Sequence, residues 1–297
     1  MTVNKKYGLF PNAKQDASAA NLCISSPQTE SSAYKLAYLD ADFMMSDELR
    51  PVRLQLELLK PEIVQQAAGI ESTVVVFGSA RIMTPEMANE VLVEAIRAAE
   101  QNPEDKGLQQ TVKLARRAQK NSDYYTEARR FSRLLADHAE KKGTKQCVVI
   151  TGGGPGIMEA ANRGAAEAGG KTIGLNIVLP REQAPNPYIT PEFSFQFHYF
   201  AIRKMHFLMR ARALVAFPGG FGTLDELFET LTLIQTQKVA RIPVLLFGRS
   251  YWERIINFSA LIEEGMISEQ DLDLFRFVET AEEACRIIVD SCTSIEP

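Results

Sequence analysis

Five short apolar runs, each followed by glycine or by a helical segment, constrain this chain more than any other feature. They read TVVVFG from residue 73, CVVITGGG from 147, KTIGLNIV from 171, ALVAFPGG from 213 and PVLLFG from 243. Continuous apolar strands that alternate with helices are typical of a parallel sheet covered on both faces. We therefore predict an α/β fold: a doubly wound, Rossmann-like, mostly parallel sheet with helices on both faces.

The chain before the first run has a different composition. Its first 45 residues include NAKQDASAANLCISSPQTESS, which is too polar and small to bury enough surface to offset its ordering entropy. We predict a flexible N-terminal arm over residues 1–45. A helical pattern starts at Ser46, with Pro51 near its beginning, and predicts an N-terminal helical extension. Residues 46–297 are predicted to form a single Rossmann-like nucleotide-binding domain with accessory helices.

Charge and cysteine usage restrict the partners and the location of this domain. The formal net charge of -4 offers no bulk attraction to nucleic acid or to an anionic membrane, so any anion site has to be local. We predict a small-molecule partner, no nucleic acid and no membrane. The 4 cysteines form no C-x-x-C pair, which is typical of a reducing compartment, and neither a membrane span nor a signal peptide is predicted. A cytoplasmic location follows.

A long connection, residues 82–146, separates the first two apolar runs. It begins with a predicted helix near residues 86–100 and continues as a charged helical segment. Because acidic residues are interspersed among the basic ones, we interpret this segment as a solvated helical face rather than as a site for a polyanion. The basic residues are Lys113, Arg116, Arg117, Lys120, Arg129, Arg130 and Arg133; the acidic ones are Glu127, Asp137 and Glu140.

Two glycine-rich turns join strands to helices. The first is TGGGPGIMEAAN at 151–162, and the second is PGGFGTLDE at 218–226. Glycine lets the backbone approach a ligand closely, and the N–H groups at a helix start attract an anion such as phosphate. A plain tight turn is the alternative interpretation of either one. Two such turns at neighbouring strand ends favour a phosphate site.

Three acidic residues, Asp225, Glu226 and Glu229, crowd the helix after the second turn. Such crowding is unfavourable unless a cation compensates or the chemistry uses it. Thr223 and Glu226 also match a capping box, in which each side chain bonds the backbone N–H of the other residue. On this stretch alone, a helix cap is the simpler interpretation of Glu226.

The candidate cation lies upstream in FHYFAIRKMHFLMRARA. If this stretch is helical, Arg203 faces away from the apolar stripe. An ordinary surface arginine is the alternative interpretation. The helix would carry Ile202, Met205, Leu208 and Met209 on one side and Arg203, His206, Phe207 and Arg210 on the other.

Four stretches together resemble the LONELY GUY (LOG) family, phosphoribohydrolases that act on cytokinin riboside 5'-monophosphates and related nucleotides and were often labelled lysine decarboxylases. The matching stretches are FGSAR at 77–81, GGGPGIMEAAN at 152–162, AIRKM at 201–205 and PGGFGTLDE at 218–226. The similarity extends over about residues 73–290. The motif arginine of the family falls on Arg203 and its motif glutamate on Glu226, which the resemblance predicts to be catalytic. The predicted substrate- and phosphate-binding residues are Ser79, Gly153, Gly154, Gly156, Gly219, Gly220, Gly222 and Thr223.

The resemblance also implies a reaction. It is the hydrolysis of the N-glycosidic bond of a nucleoside 5'-monophosphate, AMP or N6-modified AMP, to the free base and ribose 5-phosphate, without a metal or an organic cofactor. Glu226 could stabilise the oxocarbenium-like transition state or accept a proton from water, and the sequence does not separate these roles. Family members form dimers with the nucleotide site close to the partner subunit, so a homodimer or higher homo-oligomer is expected. The arm and the long connection exceed what the compact plant-type enzymes have.

Two other functions fit parts of the pattern. Lysine decarboxylation needs an electron sink such as lysine-bound pyridoxal phosphate, and nothing around Lys204 indicates a pocket for one. The same scaffold occurs in molybdenum-cofactor carrier proteins, so a non-catalytic nucleotide- or molybdenum-cofactor-binding protein is the alternative. The presence of both Arg203 and Glu226 favours the enzyme.

Overall fold

The computed structural model describes residues 10–142, 147–180 and 184–293. The chain divides into two compact units, Met1–Glu57 and Leu58–Pro297. The predicted arm falls in the first unit, and its residues 1–9 lie outside the described part. No residue in the described range 10–57 is buried. The helices of this part are α1 (Ala13–Ala20), α2 (Ala41–Met45) and the start of α3 (Arg50–Ala67).

The second unit is built around a parallel sheet of seven strands. Its strands are β1 (Thr73–Phe77), β2 (Val148–Thr151), β3 (Thr172–Ile177), β4 (Ser194–Phe197), β5 (Ala211–Ala216), β6 (Val244–Phe247) and β7 (Arg276–Val278). They lie in the order β4-β3-β2-β1-β5-β6-β7, and every neighbouring pair is parallel. Five of them are the predicted apolar runs. Sequence patterns missed β4 and β7, which are short edge strands.

Helices cover both faces of this sheet, so the prediction of a doubly wound, Rossmann-like fold is confirmed. Along β1, Val74 and Val76 pack into one apolar cluster while Val75 and Phe77 pack into the other. Both sides of the strand are therefore buried, which explains its continuous apolar sequence. The remaining helices are α4 (Pro85–Gln101), α5 (Lys106–Asn121), α6 (Asp123–Lys142), α7 (Ile157–Glu167), α8 (Phe200–Leu208), α9 (Phe221–Gln235), α10 (Arg249–Ile255), α11 (Phe258–Glu263) and α12 (Ala281–Thr293).

The strand order reverses between β1 and β5. From β1 the chain proceeds outward through β2, β3 and β4, and then returns to place β5 on the other side of β1. Ligands of open α/β sheets bind in the crevice at the carboxyl ends of the strands at such a point. FGSAR follows β1 and PGGFGT follows β5, so both motifs end at this crevice.

The long connection supplies three helices with different surroundings. Helix α6 packs on the sheet through Tyr125, Ala128 and Phe131. Helices α4 and α5 instead share a small apolar cluster of their own, in which Leu92 of α4 and Val112 of α5 are buried. The helix predicted near residues 86–100 is confirmed as α4. Among the described residues, no helix has the combination of length and apolar character needed to cross a bilayer.

The contact between α6 and α7 generates the first prediction. A Cβ added at Gly164 would lie 1.9 Å from the carbonyl oxygen of Arg129, so the two helix backbones touch there. Gly164→Ala should lower the free energy of unfolding by about 1 to 3 kcal/mol, because the methyl group overpacks this contact. Urea denaturation measures the change. Gly107→Ala in α5, which would meet only the Asp105 side chain, is the control, and an equal loss there would contradict this packing argument.

Candidate active site

A cleft of about 290 Å³ opens at the carboxyl ends of β1, β2 and β5. Of the sequence-predicted site residues, it brings together six: Ser79, Arg203, Gly220, Gly222, Thr223 and Glu226. The other lining residues are Phe77, Gly78, Ala80, Arg81, Gly152, Met158, Phe200 and Asp225.

The second glycine turn forms the start of helix α9 at this cleft. The helix begins at Phe221, and Gly220 occupies its N-cap position without a side-chain cap. A Cβ at Gly220 or Gly222 would meet nothing within 4 Å, so these glycines leave open space beside the helix start. The N–H groups of the first helical turn lack intrahelical acceptors and carry the positive end of the helix dipole. An anion in this space would accept hydrogen bonds from these N–H groups and would be attracted by the positive end of the dipole.

Gly219 has a different place in the same turn. Its missing Cβ would lie 2.0 Å from Oγ1 of Thr223, so a side chain cannot fit there. Its carbonyl oxygen accepts a hydrogen bond from the hydroxyl of Tyr251, at 2.5 Å. Gly219 therefore shapes the turn, and it is not among the residues that line the cleft.

The first glycine turn lies beside the cleft and contributes Gly152 to its wall. Gly153 and Gly156 have φ angles of +77° and +71°, a region that favours glycine. The missing Cβ of Gly156 would lie 2.4 Å from the carbonyl oxygen of Ser79, so the turn packs against the loop after β1. Gly153, Gly154 and Gly156 do not line the cleft.

A buried asparagine holds this first turn in place. The Nδ2 atom of Asn186 donates to the carbonyl oxygens of Gly153 and Gly154, both at 3.1 Å, and to Oδ1 of Asn162 at 2.9 Å. Asn162 in turn accepts from the hydroxyl of Thr151 at 2.7 Å. Sequence reasoning missed Asn186, because it lies about 30 residues after the turn and no motif marks it.

Glu226 lies on the inward side of α9 and is 8% exposed. Its carboxylate makes no hydrogen bond and no ion pair among the described residues. Burial raises the pKa of Glu226 to about 7, although the positive charges of Lys204 and Arg203 oppose the shift. A half-charged carboxyl at neutral pH that is open to a cleft is suited to proton transfer or to the stabilisation of positive charge.

The capping box predicted for Thr223 and Glu226 is wrong. Helix α9 starts at Phe221, two residues before Thr223, so Thr223 already lies in the first turn. Gly220 occupies the N-cap position instead, and no side chain caps the helix. The simpler interpretation of Glu226, as a helix cap, is thereby removed.

Arg203 is held by backbone carbonyl groups. Its Nε atom donates to the carbonyl oxygen of Leu175 at 2.7 Å, and its guanidinium carbon lies 5.1 Å from the ring centre of Phe207. Burial lowers the pKa of Arg203, and the charge of Glu226 opposes this shift. Among the ion pairs of the described residues, none joins Arg203 to Glu226. The two charges therefore flank the cleft rather than neutralising each other.

The buried side of helix α8 is not the side that carries the apolar stripe. His206 and Phe207, on the Arg203 side, are buried, whereas Met205 and Met209 are 49% and 46% exposed. The sequence correctly separated Arg203 from the methionines, but the arginine side faces the interior. An ordinary surface arginine is therefore excluded.

Lys204 supplies the cation for the crowded acidic residues. Its Nζ atom lies 2.8 Å from Oδ2 of Asp225 and 3.1 Å from Oε2 of Glu229. Lys204 thus binds both acidic neighbours of Glu226 and leaves Glu226 without a direct partner among the described residues. Asp225 and Glu229 are four residues apart on α9, and this spacing was the available signal for a shared cation.

Two further wall residues were missed for different reasons. Arg81 ends the FGSAR stretch and could have been included with Ser79 from the sequence. Phe200 gives no comparable signal, because its position depends on how β4 leads into α8.

Among the described residues, no three histidine, cysteine or acidic side chains group in a way that could hold a metal ion.

The fold and this cleft define the class: a Rossmann-like α/β protein with a candidate site at the reversal point of its sheet. Residues 158–288 match a family model described as possible lysine decarboxylase. A probable cytokinin riboside 5'-monophosphate phosphoribohydrolase of Oryza sativa is 32% identical over 125 residues, which cover 41% of this chain and 49% of that protein. A cytokinin riboside 5'-monophosphate phosphoribohydrolase of Arabidopsis thaliana is 28% identical over 139 residues, 46% of this chain and 63% of that protein.

These matches confirm the resemblance to the LONELY GUY family that the four motifs predicted. The alignments span about half to three fifths of the length of these two curated relatives. Among solved structures, the molybdenum cofactor carrier protein of Chlamydomonas reinhardtii matches with a TM-score of 0.46 and 17% identity, over 75% of this chain and 99% of that one.

The burial of Glu226 generates the second prediction. Its folded pKa of about 7 lies above its ordinary value of 4.5, so the native state binds the proton more tightly than the unfolded state does. The stability contributed by this group is complete below about pH 4.5 and is lost as the pH rises through 7. Glu226→Gln should therefore raise the free energy of unfolding at pH 8 by up to about 3 kcal/mol.

Chemical denaturation of both proteins at pH 8 and pH 4.5 measures this gain, which should vanish at the lower pH. The matched control is Glu229→Gln, which loses the ion pair to Lys204 and should gain nothing at pH 8. A Glu226→Gln protein that is less stable than the parent at pH 8 would contradict the burial argument.

Proposed function

We propose that this protein hydrolyses the N-glycosidic bond of a nucleoside 5'-monophosphate, releasing the free base and ribose 5-phosphate. AMP and N6-modified AMP are the first candidate substrates. The observation that carries this proposal is the pair of charged side chains, half-buried Arg203 and buried Glu226, which line one cleft beside the start of α9 without pairing with each other. The names of the relatives support the same reaction type.

The proposed phosphate position is the open space at Gly220 and Gly222. There, the first-turn N–H groups of α9 can donate to phosphate oxygens, and the helix dipole favours their negative charge. The hydroxyl of Ser79, which also lines the cleft, adds a further hydrogen-bonding group. Each contribution is modest in water, so several donors acting together are needed to hold the group.

Glu226 acts on the sugar in this proposal. Breaking the bond from ribose to base develops positive charge at the anomeric carbon, and a fixed carboxylate stabilises charge that exists only near the transition state. With a pKa of about 7, the same carboxylate can also accept a proton from the attacking water at neutral pH. Arg203, held by the carbonyl oxygen of Leu175, positions the ribose phosphate through its planar guanidinium group.

The surroundings of Lys204 argue against lysine decarboxylation by a Schiff base at this residue. Although burial disfavours its charge, hydrogen bonds to Asp225 and Glu229 raise the pKa of Lys204 above its ordinary value. A Schiff base requires a neutral amine, and this amine is held in its charged form. The chemistry named in the family description is therefore not the one we propose.

A homodimer would bring a partner subunit close to the cleft. Large apolar side chains of α8, of Met209 directly after it and of α9 are exposed, among them Phe221, which is 93% exposed. Exposed apolar groups of this size favour a protein interface. We propose that α8 and α9 form the homodimer surface implied by the family resemblance, and that the protein works in the cytoplasm. The other exposed members are Phe200, Met205, Met209 and Phe228.

The third prediction concerns the substrate. Purified protein should release free base from AMP or N6-modified AMP, and much less from the corresponding nucleosides, because the α9 start needs an anion. Chromatography of the reaction products measures the free base. Equal rates on nucleosides would contradict the phosphate position. Tight binding of a nucleotide without turnover would support the non-catalytic carrier instead.

The fourth prediction concerns Glu226. Glu226→Gln should lower kcat by about 100- to 1000-fold, as expected for loss of one preorganised electrostatic group. Turnover by the parent should fall about tenfold between pH 8 and pH 6, because the pKa of about 7 makes the ionised fraction fall by that factor.

Steady-state rates measured with both proteins check these effects, with Glu229→Gln as the matched control that keeps turnover within a few-fold of the parent. Retention of full turnover in Glu226→Gln would remove the catalytic role.

A further inference from the structure

The proposed reaction does not use the helical hairpin formed by α4 and α5. The structure divides the basic residues of the long connection into two groups. Those of α6 have acidic partners: Arg129 pairs with Glu167, Arg130 with Glu127 and Glu282, and Arg133 with Asp137. The side chain of Glu140 lies outside the described part. Acidic residues of α6, α7 and α12 thus pair with the arginines of α6 and not with α5.

Helix α5 carries a face of unpaired positive charge. Its residues 106–121 include no aspartate or glutamate. Val112 and Ala115 are buried against α4, so the basic side chains project from the other side. Within the described ranges, none of them takes part in an ion pair. This basic face of α5 consists of Lys106, Lys113, Arg116, Arg117 and Lys120, all exposed.

Helix α4 carries the opposite charge. Its acidic face consists of Glu86, Glu90, Glu94 and Glu100, all exposed, and no ion pair to these residues is found in the described part of the chain. Leu92 and Ala95 of the same helix are buried in the hairpin. One hairpin therefore presents an acidic helix and a basic helix side by side.

The two faces match in spacing when the helices run in opposite directions. Glu90, Glu94 and Glu100 lie at steps of four and six residues, and Arg116, Lys113 and Lys106 lie at steps of three and seven in reverse. At ~1.5 Å per residue, both sets extend over about 15 Å. The same register places Glu86 opposite Lys120, and Arg97, the one cation of α4, opposite the neutral Gln109.

We propose that the α4–α5 hairpin docks on the same hairpin of a second copy of this chain, with α4 of each copy antiparallel to α5 of the other. A two-fold axis parallel to the helices generates both contacts at once, as an isologous interface requires. The exposed side chains Val93 and Leu114 lie beside the charges and add apolar area. This contact is separate from the α8 and α9 surface.

A second copy fits this surface better than a nucleic acid or a membrane does. The acidic face of α4 would repel phosphates that approach α5. An interfacial membrane helix needs an apolar face to insert, and the apolar residues of α5 are occupied by α4. A second hairpin supplies both signs of charge at matching positions.

Charge reversal tests the proposal. The acidic variant, Lys113→Glu with Arg116→Glu, and the basic variant, Glu90→Lys with Glu94→Lys, each place like charges at the central positions of both helices. Each variant alone should lose the hairpin association. An equimolar mixture should restore it, because both contacts of the mixed pair then join opposite charges. Thermal melting followed by circular dichroism checks that both variants fold.

Native mass spectrometry distinguishes the mixed pair by its mass. Pairing through the hairpin should enrich the mixed species above the statistical proportion, whereas a dimer through α8 and α9 would mix statistically.

Sedimentation of the parent should show the affinity falling at least about tenfold between about 50 and 500 mM salt. Statistical mixing, or unchanged association in both variants, would overturn the proposal. Binding of a single-stranded oligonucleotide by the parent, lost in the acidic variant and without mixed pairing, would overturn it in favour of a polyanion.

Discussion

Burial of the central strands on both faces is the constraint on which the rest of this structure depends. Side chains of β1 enter two separate apolar clusters in alternation, so the strand has no face on which a polar group could meet water. Polar chemistry is therefore confined to the loops and helices beyond the strand ends. Because the strand order reverses between β1 and β5, the loops after these strands diverge and leave the cleft between them.

The cleft contains one buried carboxyl group, that of Glu226, whose pKa lies near neutrality. An isolated charge is costly to bury. Because Glu226 has no direct partner among the described residues, burial raises its pKa to about 7 and its carboxyl is partly protonated at neutral pH. Lys204 binds the two neighbouring carboxylates, and backbone carbonyl groups orient Arg203. Stability is given up at one residue whose carboxyl lines the cleft, a loss that is common in functional sites.

The long connection serves two structural purposes. Helix α6 completes the cover of the sheet, and its arginines have acidic partners. Helices α4 and α5 bury only a small cluster between themselves, and their outward charges remain unpaired among the described residues. The same stretch of sequence therefore contains a part that the fold requires and a part whose surface is available for association. The charge pattern of the whole segment conceals this difference, because acidic residues occur both in α4 and in α6, and only α5 between them has none.

The family resemblance, and not a local rule, predicted Arg203 and Glu226 as catalytic residues, which stays a prediction. The sequence alone determined the five central strands, the parallel class of the sheet and the two glycine turns. These features are local, since a strand buried on both faces must be continuously apolar and a close turn needs glycine. Only the tertiary structure decided that α9 begins at Phe221, that the arginine side of α8 faces inward, that Asn186 holds a distant turn, and that β4 and β7 complete the edges. The reason is physical: the period of a helix reveals that it has two sides, but which side is buried depends on what the rest of the chain packs against it.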